Sequence, residues 1–396
     1  MESIKDKVAI IGMGCTKFGE LWDKSPTDLI VEAAYEAFED AGIESKDVQA
    51  AWLGTYYTGL TGQVLAKPLQ LDYIPITRVE NMCATASDAL RNGAYAIAAG
   101  VADIVLVLGV EKLKDNGFSG LPDAEMVTGT NMTENTYRAR TLTGPGHFAL
   151  LATGYFAKYG LSFEEGKKLL ARIAVKNHKN GALHPKAHFQ KEITLETALN
   201  APMIASPLGL FDCCGVSDGA SAAILCRADM AKNFRPDPVL IKALQIAVGP
   251  AEGYISQDYK WTHIEETYRA GVKAYEEAGI NDPAKELSMA EVHDCFSITE
   301  VAIYEDLQFC GRGAAKEYVE SGFFDLDGEL PVNTDGGLKC FGHPIGASGL
   351  RMMYEVYKQM QGKAGPRQIK NPSLGLSHNL GGTPGSSTIS VLIAGN

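Results

Sequence analysis

The chain has 396 residues, of which 45% are hydrophobic and 21% are charged. A chain of this length and composition can bury a large core and is expected to form two domains or one duplicated domain. The formal net charge of -12 argues against nucleic acid or an anionic membrane as the main partner. The N-terminus shows no apolar signal segment, and no apolar run approaches the roughly 20 residues of a membrane span.

The eight cysteines are scattered along the chain without the paired spacing that is typical of a zinc site. Cys213 and Cys214 are adjacent in sequence, which does not suggest a disulfide framework. Reduced thiols are the simpler expectation, and they are typical of the cytoplasm. We therefore expect a cytoplasmic enzyme without a bound metal.

The first predicted element is an apolar strand at residues 8–12, followed by a helix that ends before Gly42. The same pattern returns 237 residues further on, as the apolar residues 246–249 and a helix that ends before Gly279. Glycine is a typical residue just after the last turn of a helix. Two matches at one offset indicate that the chain contains an internal duplication.

Each half alternates short runs rich in Val, Ile and Leu, such as residues 104–109, with longer amphipathic helices. This pattern predicts an α/β fold with a mixed or mainly parallel sheet covered by helices. A segment rich in turn residues has no counterpart in the second half, and we expect it to form an inserted loop or lid domain. The predicted regions are an N-terminal half (residues 1–111 and 208–238), the insert (112–207) and a C-terminal half (239–396).

Cys83 lies where an apolar run stops and a helix pattern of small residues begins. The unpaired backbone N–H groups and the positive dipole end of a helix N-terminus favour a thiolate, which is the nucleophilic form of cysteine. Cys83 is therefore a candidate nucleophile. The alternative is a small buried core residue, which is the common role of a cysteine.

His343 occupies a glycine-rich loop before a helix in the second half, as Cys83 does in the first half. An imidazole is the usual base that activates a thiol, although a histidine before a proline can also be a simple turn residue. A second polar cluster places His293 and Cys295 two residues apart. Residues 376–385 are predicted to form a glycine-rich turn that could lend backbone N–H groups to an oxyanion.

Together these motifs resemble the thiolase superfamily, and in particular the sterol-carrier-protein-2 type and its bacterial and archaeal acetyl-CoA acetyltransferase relatives. The resemblance covers essentially the whole chain. Residues 342–349 are similar to the Gly-His-Pro motif, and residues 211–221 to the segment that lines the pantetheine tunnel, with Cys214, Gly215 and Ser217. The resemblance implies a thiolase fold: two βαβαβαββ halves packed in five layers (α-β-α-β-α), with the insert above the active site, usually in a dimer.

The chain departs from the common thiolase pattern at two places. Residues 293–296 read His-Asp-Cys-Phe where most thiolases have Asn-Glu-Ala-Phe, and His378 stands where most have a second catalytic cysteine. The sterol-carrier type implies that Cys295 supplies this second thiol. Cys340 is a lesser candidate for the same role.

The resemblance implies CoA-dependent cleavage of a 3-oxoacyl-CoA, or the reverse Claisen condensation, with CoA as co-substrate and without a covalently bound cofactor or a metal. In this reaction His343 would activate Cys83, which becomes acylated, and Cys295 would protonate the departing enolate. His293 with a water would hold the thioester oxygen. The backbone N–H of Cys83 and one from the Leu380-Gly381 turn would form a second oxyanion site, which makes Gly381 a site candidate.

Basic residues cluster within the insert, and we expect this region, with Lys176 and Lys179, to hold the CoA phosphates. Relatives with the His-Asp-Cys-Phe motif favour a branched or bulky 3-oxoacyl-CoA, with 2-benzoylsuccinyl-CoA as an aromatic example, over acetoacetyl-CoA. The resemblance also implies a homodimer. A small zinc-ribbon and OB-fold module would be a separate partner chain, because this sequence has no Cys-x-x-Cys pair.

Four alternatives stay open at this point. The chain could be a biosynthetic acetoacetyl-CoA thiolase, or a ketoacyl synthase, which would use one cysteine and two histidines but would not need Cys295. A non-catalytic thiolase-like subunit would leave Cys83 with an ordinary thiol pKa and without an acyl adduct. A 3-hydroxy-3-methylglutaryl-CoA synthase would need a glutamate base, for which Glu291 and Glu300 lie near the right cluster.

Overall fold

The computed structural model describes residues 3–115, 117, 143–256 and 258–396. In this part of the chain the strands are β1 (Val8–Cys15), β2 (Ala50–Gly54), β3 (Ile76–Val79), β4 (Ile104–Glu111), β5 (Met203–Ala205), β6 (Leu208–Gly209), β7 (Gly219–Arg227), β8 (Val239–Val248), β9 (Met289–Val292), β10 (Leu374–Gly381) and β11 (Thr388–Gly395). The helices are α1 (Pro26–Ala41), α2 (Gln63–Leu69), α3 (Thr85–Ala98), α4 (Gly144–Tyr159), α5 (Phe163–Ala182), α6 (Leu195–Leu199), α7 (Glu252–Ile255), α8 (Glu265–Ala278), α9 (Pro283–Glu286), α10 (Ser297–Asp306), α11 (Ala315–Ser321), α12 (Gly337–Phe341) and α13 (Ser348–Met360).

The helices α1 and α8 end where the sequence predicts. Ser25 caps the N-terminus of α1 by accepting a hydrogen bond from the backbone N–H of Asp28, a typical capping interaction. Gly42 and Gly279 follow α1 and α8 with φ angles of 70° and 81°. This left-handed conformation carries little steric cost for glycine. The predicted helix ends are therefore confirmed in both halves.

The two halves also repeat the same strand order. Nine strands form one mixed sheet in the order β3-β2-β4-β7-β1-β8-β11-β10-β9. In the first half β1 and β4 pair antiparallel with β7, while β2 pairs parallel with β4. In the second half β8 and β10 pair antiparallel with β11, while β9 pairs parallel with β10. The half-sheets meet where β1 pairs with β8 at two positions only.

Helices lie on both faces of each half-sheet and give five layers. Successive residues of a strand point to opposite faces. Ile10 of β1 accordingly belongs to a core cluster with residues of α3 and α13, whereas Ala9 and Ile11 belong to the cluster under α1. The helices α3 and α13 pack against each other between the half-sheets, while α1 and α8 cover the outer faces. The predicted α-β-α-β-α thiolase fold is confirmed.

The described part of the insert contributes α4, α5, α6 and β5, which pairs with β6 just beyond the insert. Phe148 of α4 and Leu170 of α5 share a core cluster with Val292 and Ile298 of the C-terminal half, so this part of the insert packs on the second half. The proposed boundaries of the three regions stay a prediction. None of the described helices has both the length and the apolar character needed to cross a membrane.

The structure corrects one predicted element. Residues 374–381 form strand β10, and the turn begins only at Gly382. The glycines at positions 381, 382 and 385 favour the turn that the sequence predicts for residues 376–385. The run is a buried strand between β9 and β11, where backbone pairing with both neighbours outweighs the weak local preference of Asn379 and Gly381.

Candidate active site

Cys83 sits in the sharp turn between β3 and α3. The backbone N–H of Asn81 donates to the hydroxyl of Thr85 at 2.8 Å, and the N–H of Thr85 donates to the carbonyl of Met82 at 3.1 Å. Met82 adopts a left-handed φ of 52°, a conformation that is uncommon for a non-glycine residue and typical of functional turns. The turn holds the Cys83 side chain at the wall of a buried cavity.

The structure corrects the predicted state of this thiol. Burial raises the pKa of Cys83 to about 12, and the backbone N–H groups of Gly382 and Cys83 only partly offset that effect. The sequence analysis expected the helix N-terminus to favour a thiolate. Desolvation of a nearly enclosed sulfur outweighs the helix dipole, which contributes about 1 kcal/mol at most sites. The resting thiol is therefore neutral, and attack requires a base.

His343 has the geometry of that base. The hydroxyl of Ser348 donates to the carbonyl of Pro344 at 2.9 Å, so its oxygen accepts a hydrogen bond from Nδ1 of His343 at 2.8 Å. The single proton of the neutral imidazole is then on Nδ1, which leaves Nε2 unprotonated. Burial lowers the pKa of His343 to about 3. The imidazole is neutral at physiological pH and can accept a proton at Nε2.

His293 is held in the opposite tautomer. Its Nδ1 accepts hydrogen bonds from the backbone N–H of Leu380 at 3.2 Å and from Nδ2 of Asn379 at 3.1 Å. The ring proton is therefore on Nε2, which is buried and has no hydrogen-bond partner among the residues that the structure describes. Burial, reinforced by the nearby His343, keeps the pKa of His293 well below its usual range. The ring is a neutral hydrogen-bond donor.

The two imidazoles and the thiol converge. One nitrogen of each ring and the Cys83 sulfur lie within 4.8 Å of one another, and the two rings meet edge to face with centroids 5.2 Å apart. Such a group could in principle bind a metal ion, which requires a lone pair from each histidine. His293 presents an N–H instead. The arrangement suits proton transfer and the binding of an oxyanion better than it suits a metal ion.

These side chains line one cavity of about 430 Å³. Cys295 faces the same cavity, and burial, reinforced by the nearby Cys214 and Cys83, raises its thiol pKa well above the usual range. A neutral thiol of this kind can donate a proton to carbon. The remaining wall is mainly apolar and is formed by Leu113, Thr143, Gly144, Pro145, Phe148, Cys213, Cys214, Gly215, Val216, Phe296, Ile345 and Gly382.

Two further sequence candidates lie outside this cavity. The thiol of Cys340 donates to the carbonyl of Phe189 at 2.8 Å in a buried position, and Cys340 is absent from the cavity wall. The geometry therefore favours Cys295 as the second thiol. The hydroxyl of Ser217 bonds to Nδ1 of His188 at 2.9 Å and to the carbonyl of Gly215 at 3.2 Å. Ser217 shapes the loop that carries Cys214 and Gly215, but it does not face the cavity.

The lysines proposed for CoA also lie elsewhere. The ammonium of Lys176 is buried, with Glu300 at 2.8 Å and the carbonyl of Val332 at 2.7 Å. The ammonium pairs with a buried carboxylate and is not available to a phosphate group. The prediction that Lys176 holds the CoA phosphates is therefore corrected. Lys176 and Lys179 line a separate cavity of about 400 Å³. The sequence pattern located basic residues but could not show which side of α5 each of them occupies.

Gly382, and not the predicted Gly381, lines the cavity. Gly382 has a φ of 101°, and its backbone N–H lowers the pKa of the Cys83 thiol and so partly offsets the effect of burial. A Cβ atom at Gly381 would lie 2.2 Å from the carbonyl oxygen of Asn81. Gly381 therefore allows β10 to approach the Cys83 turn closely.

His378 does not occupy the position expected for a second catalytic residue. Its Nε2 lies 3.0 Å from the hydroxyl of Thr267 on α8, on the outer face of the sheet. Side chains alternate along a strand, so the neighbouring Asn379 faces the site and contacts His293. Asn379 is absent from the residues predicted from the sequence because residues 376–385 are predicted as a turn. The alternation of side chains along a strand is the signal that could have identified it.

Asp294 is a second residue that the sequence analysis did not assign. Its carboxylate accepts hydrogen bonds from the backbone N–H of Leu338 at 2.6 Å and from Nδ2 of Asn177 at 2.8 Å. It therefore ties the loop of His293 and Cys295 to α12, which leads directly to His343. Burial, followed by the effect of the neighbouring Glu300, raises the pKa of Asp294 to about 7. The contact fixes the segment that carries His293 and Cys295 relative to the one that leads to His343.

No glutamate among the described residues lines the cavity. Glu300 forms an ion pair with Lys176 and accepts hydrogen bonds from the side chains of Asn177 and Asn333. Glu291 forms an ion pair with Arg351 at 2.9 Å in the interior. The geometry gives neither carboxylate the position of the base that a 3-hydroxy-3-methylglutaryl-CoA synthase would need.

We expect the reactivity of Cys83 to report its raised pKa directly. Only the thiolate is alkylated, so the rate of Cys83 labelling by iodoacetamide should rise about tenfold per pH unit between about pH 7 and about pH 10. Peptide mass spectrometry would measure the labelling of Cys83 separately from that of the other cysteines. A rate that levels off below about pH 8 would mean that the thiol ionises easily, and would contradict this prediction.

Comparison with known proteins matches both halves of the chain. Residues 8–229 match the family model for the thiolase N-terminal domain, and residues 248–394 match the one for the thiolase C-terminal domain-like region. An acetyl-CoA acetyltransferase from Methanothermobacter thermautotrophicus is 39% identical, over 97% of this chain and 98% of its own length. Sterol carrier protein 2 from Gallus gallus is 34% identical, over 95% of this chain and 70% of its own length.

Two further proteins are similar to this chain over nearly its whole length. The benzoylsuccinyl-CoA thiolase subunit BbsB from Thauera aromatica is 31% identical, over 96% of both chains. A solved structure described as the Ltp2-ChsH2(DUF35) aldolase has a TM-score of 0.85 and 27% identity, and the match covers 100% of this chain and 99% of that one. Since the two family models together match residues 8–229 and 248–394, and the acetyl-CoA acetyltransferase is similar over nearly the whole chain, the chain belongs to the thiolase family.

Proposed function

We propose that this protein is a thiolase that cleaves a 3-oxoacyl-CoA with CoA, or runs the reverse Claisen condensation, through an acyl group on Cys83. The observation that carries this proposal is the convergence of Cys83 with two imidazoles in opposite tautomers. One imidazole can take a proton and the other can give a hydrogen bond. Cys295 adds a proton donor to the same cavity.

The first half of the reaction forms the acyl-enzyme. Nε2 of His343 takes the proton of Cys83, and the sulfur attacks the 3-keto carbon of the substrate. The backbone N–H groups of Cys83 and Gly382 hold the resulting oxyanion. The bond between C2 and C3 then breaks, and its electron pair forms the enolate of the departing acyl-CoA. Nε2–H of His293 binds the enolate oxygen, and the thiol of Cys295 gives its proton to C2.

The second half returns the enzyme to its starting state. Cys295 regains a proton from the incoming CoA thiol, and the CoA thiolate attacks the thioester on Cys83. The same two N–H groups hold the second tetrahedral oxyanion. The Cys83 sulfur leaves and recovers a proton from His343. Thiol, imidazole and thioester carry every step, and CoA is the co-substrate.

We propose a branched or bulky 3-oxoacyl-CoA as the substrate, with 2-benzoylsuccinyl-CoA as an aromatic candidate. The mainly apolar cavity wall supports this, because Phe148 and Phe296 stack at a centroid distance of 4.5 Å beside Pro145. The name of the BbsB relative supports the same class of substrate. The second candidate is acetoacetyl-CoA, which is favoured by the acetyl-CoA acetyltransferase at 39% identity.

A substrate panel tests this proposal. We expect thiolysis of a 2-substituted or aryl 3-oxoacyl-CoA to proceed with a kcat/KM at least about tenfold above that for acetoacetyl-CoA, since a few buried methylene groups contribute this much. Release of the shortened acyl-CoA is followed by chromatography in the presence and absence of CoA. A preference for acetoacetyl-CoA would support the second candidate. No CoA-dependent cleavage of any 3-oxoacyl-CoA would contradict the proposal.

We also propose a homodimer and a separate small partner chain. Strand β3 is an edge of the sheet, and the exposed side chains of Leu60 and Tyr73 lie in loops near it, which supports pairing with a second copy. Light scattering should give twice the 42.5 kDa mass of the chain. The name of one solved relative, the Ltp2-ChsH2(DUF35) aldolase, contains a second component, which supports a separate partner chain. The eight free cysteines support a reducing, cytoplasmic location.

A further inference from the structure

We infer that Asn379 is a positioning residue that keeps the ring proton of His293 on Nε2 and so maintains this imidazole as the donor to the enolate oxygen. The inference rests on the proposed function for its consequence in catalysis. The tautomer proposed for His293 does not depend on a bound substrate.

The position of Asn379 on β10 makes the contact possible. The strand lies between β9 and β11 in the interior of the sheet, and the Asn379 side chain is fully buried. It points toward the central helix layer, where its Nδ2 also lies 3.6 Å from the sulfur of Met352. His293 follows β9, the neighbouring strand. The contact therefore joins two adjacent strands on the face of the sheet that carries the site.

The backbone determines which way the Asn379 amide must face. The N–H of Leu380 can only donate, so Nδ1 of His293 must carry a lone pair. A carbonyl oxygen of Asn379 at 3.1 Å from that lone pair would be repelled, and the amide must present its NH₂ group. Two donors then converge on Nδ1. Both hydrogen bonds are lost when the proton moves from Nε2 to Nδ1, which stabilises the Nε2–H tautomer.

The tautomer of His293 determines what its Nε2 presents to the substrate. Nε2 of His343 is already unprotonated, because its Nδ1 is bonded to Ser348. A second bare nitrogen on His293 would face a developing oxyanion with a lone pair and would repel it. When Nε2 of His293 carries its proton, it donates a hydrogen bond to the enolate oxygen. Nε2 of His343 then remains free to accept the proton of the Cys83 thiol. Asn379 thus keeps the two histidines in different roles.

Nitrogen NMR of histidine-labelled protein tests the inference without any substrate. We expect His293, assigned with the His293→Asn variant, to show a protonated Nε2 and an unprotonated Nδ1 in the unmodified protein. In Asn379→Asp the carboxylate accepts a hydrogen bond, and a proton should move to or be added at Nδ1. An unmodified protein with a proton on Nδ1 of His293 would overturn the inference, and so would an Asn379→Asp variant in which Nδ1 stays unprotonated.

Kinetics test the catalytic consequence separately. Asn379→Leu keeps the side-chain size but removes the donor, and we expect kcat for carbon–carbon cleavage to fall about tenfold, as for the loss of one hydrogen bond. KM and the rate of Cys83 alkylation should stay unchanged. Ser377→Ala, two residues earlier on the same face of β10, is the matched control and should leave kcat unaltered. An unchanged kcat in folded Asn379→Leu would overturn the catalytic part, whereas absence of cleavage in every protein would count against the proposed function alone.

Discussion

Replacing Cys83 by alanine is expected to lower kcat for thiolysis by about 10⁴-fold or more, as removal of a catalytic nucleophile typically does. In the proposed mechanism the acyl group is transferred to the sulfur of Cys83, and no other cysteine of the described cavity wall belongs to the group that this sulfur forms with the two imidazoles. The thiol is small and buried, so the alanine variant should fold. The measurement is CoA-dependent cleavage of the preferred 3-oxoacyl-CoA, with the thermal unfolding of both proteins compared.

Cys226→Ala is the matched control for this prediction. Cys226 on β7 is also a buried thiol, and burial likewise raises its pKa to about 12, but it lies outside the cavity wall and outside the group formed by Cys83 and the two histidines. We expect this variant to retain most of the activity. Cleavage by Cys83→Ala at close to the rate of the unmodified protein would contradict the acyl-cysteine mechanism.

Replacing Cys295 by alanine is expected to separate the two chemical steps. Loss of the proton donor should lower the rate of carbon–carbon cleavage by about 10²- to 10⁴-fold, the range that is usual for general acid catalysis. The exchange of C2 protons of the acyl-CoA product with deuterated water should be lost as well, because the same thiol gives and takes this proton. Acylation of Cys83 directly from an acyl-CoA forms no enolate, and CoA can leave as a thiolate without a proton from Cys295, so this step should slow much less than carbon–carbon cleavage.

Cys340→Ala is the control here, since its thiol is bonded to the carbonyl of Phe189 and should not affect C2 exchange. A Cys295→Ala variant with unchanged cleavage would show that Cys295 is not the proton donor. Unchanged condensation with decarboxylation of a malonyl substrate would indicate the ketoacyl synthase alternative instead. The comparison of Cys295 and Cys340 therefore decides both the second thiol and the class of reaction.

Much of the fold could be predicted from the sequence because its signals are local. Apolar runs and the glycines after α1 and α8 determine where elements begin and end, and the repeat of these signals shows the duplication. The meeting of Cys83 and His343 follows from that duplication, since each residue precedes an inner helix, α3 or α13, and the structure packs these helices against each other.

Other features depend on tertiary surroundings that no local pattern encodes. The pKa of Cys83 depends on how completely the folded chain removes water from the sulfur. The direction of the Lys176 side chain depends on the buried carboxylate of Glu300. The roles of Asn379 and Gly382 depend on the exact end of β10, and a shift of one residue along a strand exchanges its two faces.

The measurement that tests the central claim most directly is the mass of the Cys83 peptide after incubation with the preferred 3-oxoacyl-CoA in the absence of free CoA. We expect a thioester on Cys83 that carries the fragment from C3 onward, and one equivalent in solution of the acyl-CoA that is built from C1 and C2. Added CoA should remove the adduct and release the chain-shortened acyl-CoA. Release of the C1–C2 acyl-CoA while Cys83 stays unmodified, or an adduct on a different cysteine, would contradict the acyl-cysteine mechanism.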